Sequence, residues 1–257
     1  MKITSRQNTL IKETTKLSQS KKFRDKTHLM VLDGIHLCEE FSKQQGTFKY
    51  LFVTSRFKQN PEFKKFSNIE NILEIEENLM QKISTSKTPV GILGVVEKPI
   101  TQEIKSTLSE NFILLLENIQ DPGNLGTIFR TAVAAGIEAI FCDKNCSDVF
   151  SPKVLRASMG ANFYTKIFEN VDLEKIPSSF DGDIIGTILS DSSESIFKTK
   201  FNTRTAFLFG NEGNGISDSL EKICTKKIVI PMQNNFESLN VAIAVGICLF
   251  EKVRQKN

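Results

Sequence analysis

The 257 residues suffice for one large domain or two ordinary ones, and 40% hydrophobic with 25% charged residues can build a packed core, which excludes a chain disordered throughout. No apolar run approaches the roughly 20 residues that cross a bilayer, and the opening MKITSRQNTLIKE lacks the apolar stretch of a secretory signal. The net charge of +3 is uneven: residues 1–26 hold eight Lys and Arg against Glu13 and Asp25, whereas 101–257 hold 16 basic against 19 acidic residues. The basic N-terminal segment is either a solvated helix face or an arm that neutralises phosphates. Five cysteines are scattered through the chain; Cys142 and Cys146 are near one another, but no second pair completes a zinc set, and His28 and His36 are far away in sequence. Free thiols in a reducing cytoplasm and no metal are the expectation.

In chain order, the first segment reads as a helix capped by Ser5, with Leu10, Ile11 and Leu17 near one stripe. HLMVLD (28–33) reads as a strand, GIHLCEEFSKQ (34–44) as a helix, and KYLFVT (49–54) and NILEI (71–75) as strands. A short acidic helix at 76–83 and the strand GILGVV (91–96) complete an α/β unit. The polar stretch 97–110, with Pro99, reads as a connection, dividing the chain into 1–98 and 99–257. FILLLENI (112–119) is a continuous apolar run of the kind buried on both faces of a parallel sheet. A helix from about Leu125 to Ala135 follows, then the strand EAIFCD (138–143) and a helix opening at Ser151–Pro152. YTKIFE, DIIGTIL (183–189), TAFLFG (205–210) and KIVIPM (227–232) read as strands, SDSLEKI (217–223) as a capped helix, and NVAIAVGICLFEKVRQ (240–255) as a long final helix. Alternating strands and helices predict a parallel sheet with ligands at the carboxyl ends of its strands.

Three loops after predicted strands concentrate small and polar residues. The first is ENIQDPGNLGTIFR (117–130), where Asn124 is placed to cap the helix and Arg130 lies about two turns further on. Arg130 is either a structural ion-pair partner or a bidentate phosphate ligand. The second is FGNEGNGI (209–216), a glycine turn that offers bare backbone to a ligand. Its spacing is neither the dinucleotide fingerprint nor a P-loop, and Glu212 within it argues against a polyphosphate. The third is IPMQNNFESLNVA (230–242), where Ser238 suits a helix N-cap and Asn240 in the first turn suggests an added role.

In order, spacing and flanking strands, these loops resemble the three signature motifs of the SpoU (TrmH-type) RNA 2′-O-ribose methyltransferases of the SPOUT superfamily. ITSRQNTLIKETTKLSQSKKFRD resembles the basic N-terminal segment of the ribosomal-RNA branch, and 28–96 its substrate-binding domain. Asp33 stands where a Glu is usual before Gly34, and Val90 where a Gln is usual before Gly91. Both departures concern RNA contacts or domain packing.

The resemblance implies a small α/β substrate-binding domain followed by a parallel-sheet α/β catalytic domain with a C-terminal trefoil knot. It implies S-adenosylmethionine held in the knot by backbone at Gly210, Ile230 and Leu239, with Asn211, Gly213 and Met232 close by. Asn124, Arg130, Glu212, Ser238 and Asn240 match the family's functional polar positions. Asn124 would orient Arg130 or the ribose, Glu212 would fix the second loop, and Ser238 and Asn240 would cap the last helix and anchor the third. The family acts as a homodimer, the final helix packing across the two-fold axis, here through an apolar face of Val241, Ala244, Val245, Ile247 and Cys248. The substrate implied is structured RNA, large-subunit ribosomal RNA before transfer RNA. Deleting residues 1–26 is expected to weaken RNA binding and spare the cofactor. Two competing functions are a non-catalytic RNA-binding protein on the same fold, which would lack the cofactor loops, and a dehydrogenase, which the missing fingerprint opposes.

Overall fold

A computed structural model describes residues 2–99, 107–190, 192–211, 213–234 and 238–256. The chain forms two compact units, Met1–Ile100 with Phe150–Phe163, and Thr101–Val149 with Tyr164–Asn257. The division is therefore not one cut at residue 98: the helix Pro152–Ser158 belongs to the first unit. It begins where Ser151 followed by Pro152 predicts, with the Ser151 hydroxyl accepting from Val154 N (3.3 Å).

The first unit carries strands β1 (Lys2–Ile3), β2 (Leu29–Asp33), β3 (Phe48–Thr54), β4 (Ile72–Ile75) and β5 (Ile92–Glu97), in the spatial order β1-β4-β3-β5-β2. Strand β5 is antiparallel to β2 and β3, while β4 is parallel to β1 and β3. The basic N-terminal segment is built into this unit. It supplies β1 and the helices Thr9–Gln19 and Lys21–Thr27, and Ile3, Ile11 and Leu17 sit in the core with Val31, Phe52 and Ile75. Arg24 is buried and donates to Leu17 O, so it is no phosphate ligand in this fold. Deleting 1–26 would remove core side chains; substituting the exposed Lys12, Lys16 and Lys22 tests the charge alone. The helix cap is Asn8, whose Oδ1 accepts from Leu10 N (2.9 Å), whereas Ser5 accepts from Gln7 N in the turn before it.

Asp33 is a packing residue. Its carboxylate accepts from Ser84 Oγ (2.8 Å), Thr85 N (2.9 Å), Thr85 Oγ1 (3.1 Å) and Arg156 Nη2 (2.9 Å). The carboxylate side chain is 4% exposed and the arginine 43%, so solvent screens the ion pair, and the hydrogen bonds from the half-buried Ser84 and the exposed Thr85 hold the buried carboxylate. Asp33→Ala removes the charged acceptor of these hydrogen bonds and should lower stability by about 1.5–3 kcal/mol. A urea titration should show the midpoint falling with the slope unchanged.

In the second unit, among the described residues, seven strands form an all-parallel sheet: β6 (Phe112–Leu116), β7 (Ala139–Cys142), β8 (Lys166–Phe168), β9 (Asp183–Thr187), β10 (Glu194–Ser195), β11 (Thr205–Phe209) and β12 (Lys226–Val229). Their order is β10-β12-β9-β11-β6-β7-β8. Every residue of β6 and of β11 is buried, as the unbroken apolar runs require. Ile113, Leu115, Ala206 and Leu208 share one core with Phe141 and Ile184, and alternation turns Leu114, Leu116 and Phe207 to the other face. The helices Pro122–Ala134 and Val241–Lys256 pack against each other. From β6 the chain runs outward through β7 and β8, then returns on the far side, where β11 is inserted between β9 and β6. That reversal is where open parallel sheets place their ligands.

Candidate active site

The loops leaving the carboxyl ends of β9, β11 and β12 enclose a cavity of about 180 Å³. Its walls include Thr187 at the end of β9 with Ile188 and Leu189 after it, Gly210, Asn211 and Gly215 after β11, and Ile230, Met232, Ser238 and Leu239 after β12. Among the described residues, no Lys, Arg, Asp or Glu lines it. Such a wall suits a largely uncharged ligand and offers no cation for a polyphosphate.

The glycine turn is held shut by its own backbone. Asn211 N donates to Gly215 O (3.1 Å) and Gly215 N to Asn211 O (2.8 Å). A Cβ on Gly210 would lie 1.9 Å from Gly215 O, so only glycine permits this approach. The Asn211 side chain works in both directions: Oδ1 accepts from Gly213 N (2.8 Å), and Nδ2 donates to Asn118 O (3.0 Å) in the first loop. Asn118 has φ +55°, and its N–H is fixed by Asp143 Oδ1 (3.0 Å). Ser217 N donates to Glu117 Oε2 (2.9 Å), a second tie between the two loops. Gly213 is not among the cavity-lining residues. Glu212 lies outside the described residues, as do 235–237 of the third loop.

The helix after the first loop starts at Pro122, and its cap is Asp121, whose Oδ1 accepts from Asn124 N (2.7 Å). Asn124 is thus inside the first turn, and its side chain reaches the last helix instead, where Asn124 Oδ1 accepts from Asn240 Nδ2 (3.0 Å). Asn240, not Ser238, caps the last helix, since its Oδ1 accepts from Ala242 N (3.0 Å) and Ile243 N (3.4 Å). Ser238 is an exposed wall residue. One amide therefore caps the final helix and joins it to the first loop's helix. Asn240→Ala loses both roles and should cost about 1 kcal/mol. Asn240→Asp keeps the cap and loses the donor to Asn124, so thermal unfolding should place it near the wild type, above Asn240→Ala.

Arg130 is exposed on the same helix as Asn124, with no ion-pair partner among the described residues, and it does not line the cavity of the single chain. The structural ion pair is thus not its role among these residues. The thiols near the first loop are structural. Cys146 Sγ donates to Leu116 O (3.3 Å) and accepts from Ile119 N (3.4 Å). Its hydrogen bond to Cys142, with burial, pushes the Cys142 thiol well above its usual value. Among the described residues no group of three or more His, Cys, Asp or Glu could hold a metal ion.

Thr187–Leu189, Asn118, Asp121 and Asp143 are site residues that sequence reasoning did not single out. The end of the strand DIIGTIL was a visible signal for the first group, since ligands gather at carboxyl ends. Asp143 had no local signal, because its partner Asn118 lies 25 residues earlier.

The SpoU rRNA methylase family model matches residues 111–250, and a model of the MRM3-like substrate binding domain matches 8–94. The chain is 32% identical to an uncharacterized tRNA/rRNA methyltransferase of Synechocystis, over 99% of this chain and 94% of that one. It is 30% identical to the 23S rRNA guanosine 2′-O-methyltransferase RlmP of Bacillus subtilis, over 96% and 97%. The AdoMet-bound rRNA methyltransferase of Sinorhizobium meliloti superposes with a TM-score of 0.85 at 28% identity, covering 99% of this chain and 97% of that one. The tRNA-modifying TrmH/SpoU enzyme of A. aeolicus, 26% identical with a TM-score of 0.52, covers only 60% of this chain and 78% of its own. With its second unit matched by the family model and its whole length matched by such relatives, the chain belongs to the SpoU rRNA methylase family.

Proposed function

We propose that the protein transfers a methyl group from S-adenosylmethionine to a ribose 2′-hydroxyl of large-subunit ribosomal RNA, in the cytoplasm and as a homodimer. The observation that carries this reading is the apolar cavity of Gly210, Ile230, Met232 and Leu239, tied through Asn240 and Asn124 to the helix that bears Arg130. Likeness over the whole chain to rRNA enzymes favours ribosomal RNA.

The cavity fits the cofactor's adenosine: apolar walls, a backbone cradle that a Cβ at Gly210 would fill, and no phosphate-binding cation. Gly210, Ile230 and Leu239 would hold it by backbone, with Asn211, Gly213 and Met232 close by. The bound cofactor supplies an already activated methyl on a sulfonium. The protein's share is alignment, which can supply roughly 7–11 kcal/mol, and help for the leaving proton. A guanidinium with a pKa of about 12.5–13.8 is a poor base. Arg130 instead grips the adjacent phosphate and stabilises the nascent alkoxide, and the proton leaves through phosphate or water. Asn124 and Asn240 set the position of that helix, Ser238 shapes the third loop, and Glu212 steadies the second. The third loop and last helix are read as the segment that closes a trefoil knot, and residues 1–98 as the RNA-recognising domain.

Arg130 stands outside the cavity of one chain, which agrees with a site completed by a second copy. On the last helix Val241, Val245 and Cys248 are buried within the chain, so the apolar face free for a partner shares only Ile247 with the one expected from the sequence: Ile243 (55% exposed) and Phe250 (47%), with Ile247 between them. Light scattering should return about 58 kDa, twice 28.9 kDa, and Ile243→Asp with Phe250→Asp should return the single-chain mass. A wild-type mass near 29 kDa at micromolar concentration sinks the dimer. Calorimetry tests the cofactor: S-adenosylhomocysteine should bind and a nicotinamide dinucleotide should not, and the reverse result refutes the reading.

A further inference from the structure

A second cleft, of about 760 Å³, lies at the other end of the last helix, between residues 197–203 and 252–256, with Asn111, Phe112 and Ala135–Gly136 beneath. The last helix has 16 residues, so at about 1.5 Å per residue the cleft is roughly 20 Å from the cofactor cavity. Its first wall is the run Phe197-Lys198-Thr199-Lys200-Phe201. Ile196 and Thr199 are buried, which turns Phe197, Lys198 and Lys200 outward, and Phe197 is 57% exposed.

The wall is held rigidly. Thr199 Oγ1 donates to Glu194 Oε2 (2.9 Å), Gln255 Nε2 donates to Thr199 O (2.9 Å), and Phe201 N donates back to Gln255 Oε1 (3.2 Å). The charges facing the cleft are Lys198, Lys200, Lys252, Arg254 and Lys256 against Glu138. Arg254 is satisfied by Glu251 (2.7 Å), and Glu138 accepts from Asn111 N (3.1 Å). Lys198, Lys200 and Lys256 have no ion-pair partner among the described residues. Lys252 donates to Asn202 O. Burial and the neighbouring Lys256 push its ammonium down, while Asp183 pushes it up. Asp183 itself is engaged by Lys226 (2.8 Å) and Asn202 (2.7 Å). Lysines near a helix C-terminus complement its dipole. That accounts for Lys252 and Lys256 but not for Lys198 and Lys200, which arrive from another loop. The concentration of positive charge stands out because residues 101–257 as a whole are net negative, with 16 basic and 19 acidic residues.

We propose that this cleft binds the sugar–phosphate backbone of an RNA strand, with Phe197 as a surface on which an unpaired base stacks. Lysines interleaved with an exposed aromatic are the chemistry of single-strand binding. The inference rests on the RNA reading above and adds a docking point remote from the methylated ribose. An interaction so far from the reacting atoms holds ground state and transition state alike, so its loss raises KM and spares kcat.

The test uses full-length protein, a large-subunit rRNA transcript, and the variants Lys198→Gln/Lys200→Gln/Lys256→Gln and Phe197→Ala. Each lost contact should flatten the dependence of log affinity on log salt by about 0.7, so the triple variant should flatten it by about 2. Phe197→Ala should weaken binding roughly fivefold or more with an unchanged salt slope. Both should raise KM for RNA, keep kcat and bind S-adenosylhomocysteine as the wild type does. An unchanged slope in the triple variant while the wild type binds RNA overturns the cleft alone. A variant that changes only the mass in solution assigns the cleft to a second copy and overturns it as well. A wild type that binds S-adenosylhomocysteine but no RNA overturns both the cleft and the RNA reading beneath it.

Discussion

Arg130→Ala should slow methyl transfer by roughly 100–1,000-fold while leaving the fold and the S-adenosylmethionine affinity close to wild type. The residue is exposed and outside the cofactor cavity, so its removal neither opens a core nor strips a wall. What it removes is a planar, permanently charged donor for the phosphate and the developing alkoxide. Losing one such donor costs about 2.7–4 kcal/mol, or roughly 100–1,000-fold in rate. Arg130→Lys should recover only part of this, because an ammonium cannot make the bidentate contact. Single-turnover rates and cofactor titration on the same preparation separate the outcomes. An Arg130→Ala protein that unfolds, or that loses cofactor with normal chemistry, would make the residue a structural one.

Gly210→Ala should act on the other half of the site. The new methyl would lie 1.9 Å from Gly215 O and 2.5 Å from Ile216 N, and backbone atoms cannot swing aside as a side-chain tip can. The turn must open, which breaks the paired hydrogen bonds between Asn211 and Gly215. Overpacking of this kind costs about 1–3 kcal/mol, or roughly 5–150-fold in S-adenosylhomocysteine affinity. Gly215→Ala is the control. Its φ of +67° strains any side chain, yet nothing lies within 4 Å of the added Cβ. It should therefore cost only about 1 kcal/mol. Calorimetry finding Gly210→Ala as tight as the wild type would remove the turn from the cofactor site.

Elements whose signal is local were legible in the sequence. The apolar runs at β6 and β11, the Ser151–Pro152 helix start and the glycine turn at 210–215 were found where the residues put them, because burial, capping and positive φ are written into short stretches. Features set by distant partners were not. Asn8, Asp121 and Asn240 displaced Ser5, Asn124 and Ser238 as caps: all are good capping types, and only the path of the chain decides between neighbours. The basic segment reads as either a solvated helix face or an arm because its charges are conspicuous, whereas Ile3, Ile11 and Leu17, few and widely spaced, carry it into the core. Asp33 reads as concerning either RNA contacts or domain packing; its partners Ser84, Thr85 and Arg156, 51, 52 and 123 residues away, are what make it a packing residue, and no local signal names them. The family was recognised through the order and spacing of the three loops, which no single loop would have carried.

Ribose methylation of large-subunit ribosomal RNA is tested most directly by mass spectrometry of the product. The full chain is incubated with isotopically labelled S-adenosylmethionine and an unmodified large-subunit rRNA transcript, and the RNA is digested to nucleosides. Wild-type protein should yield one labelled 2′-O-methylnucleoside, and Arg130→Ala should yield it at least about 100-fold more slowly. Label on a base, or no label in RNA from a protein that binds S-adenosylhomocysteine, would contradict ribose methylation of this RNA.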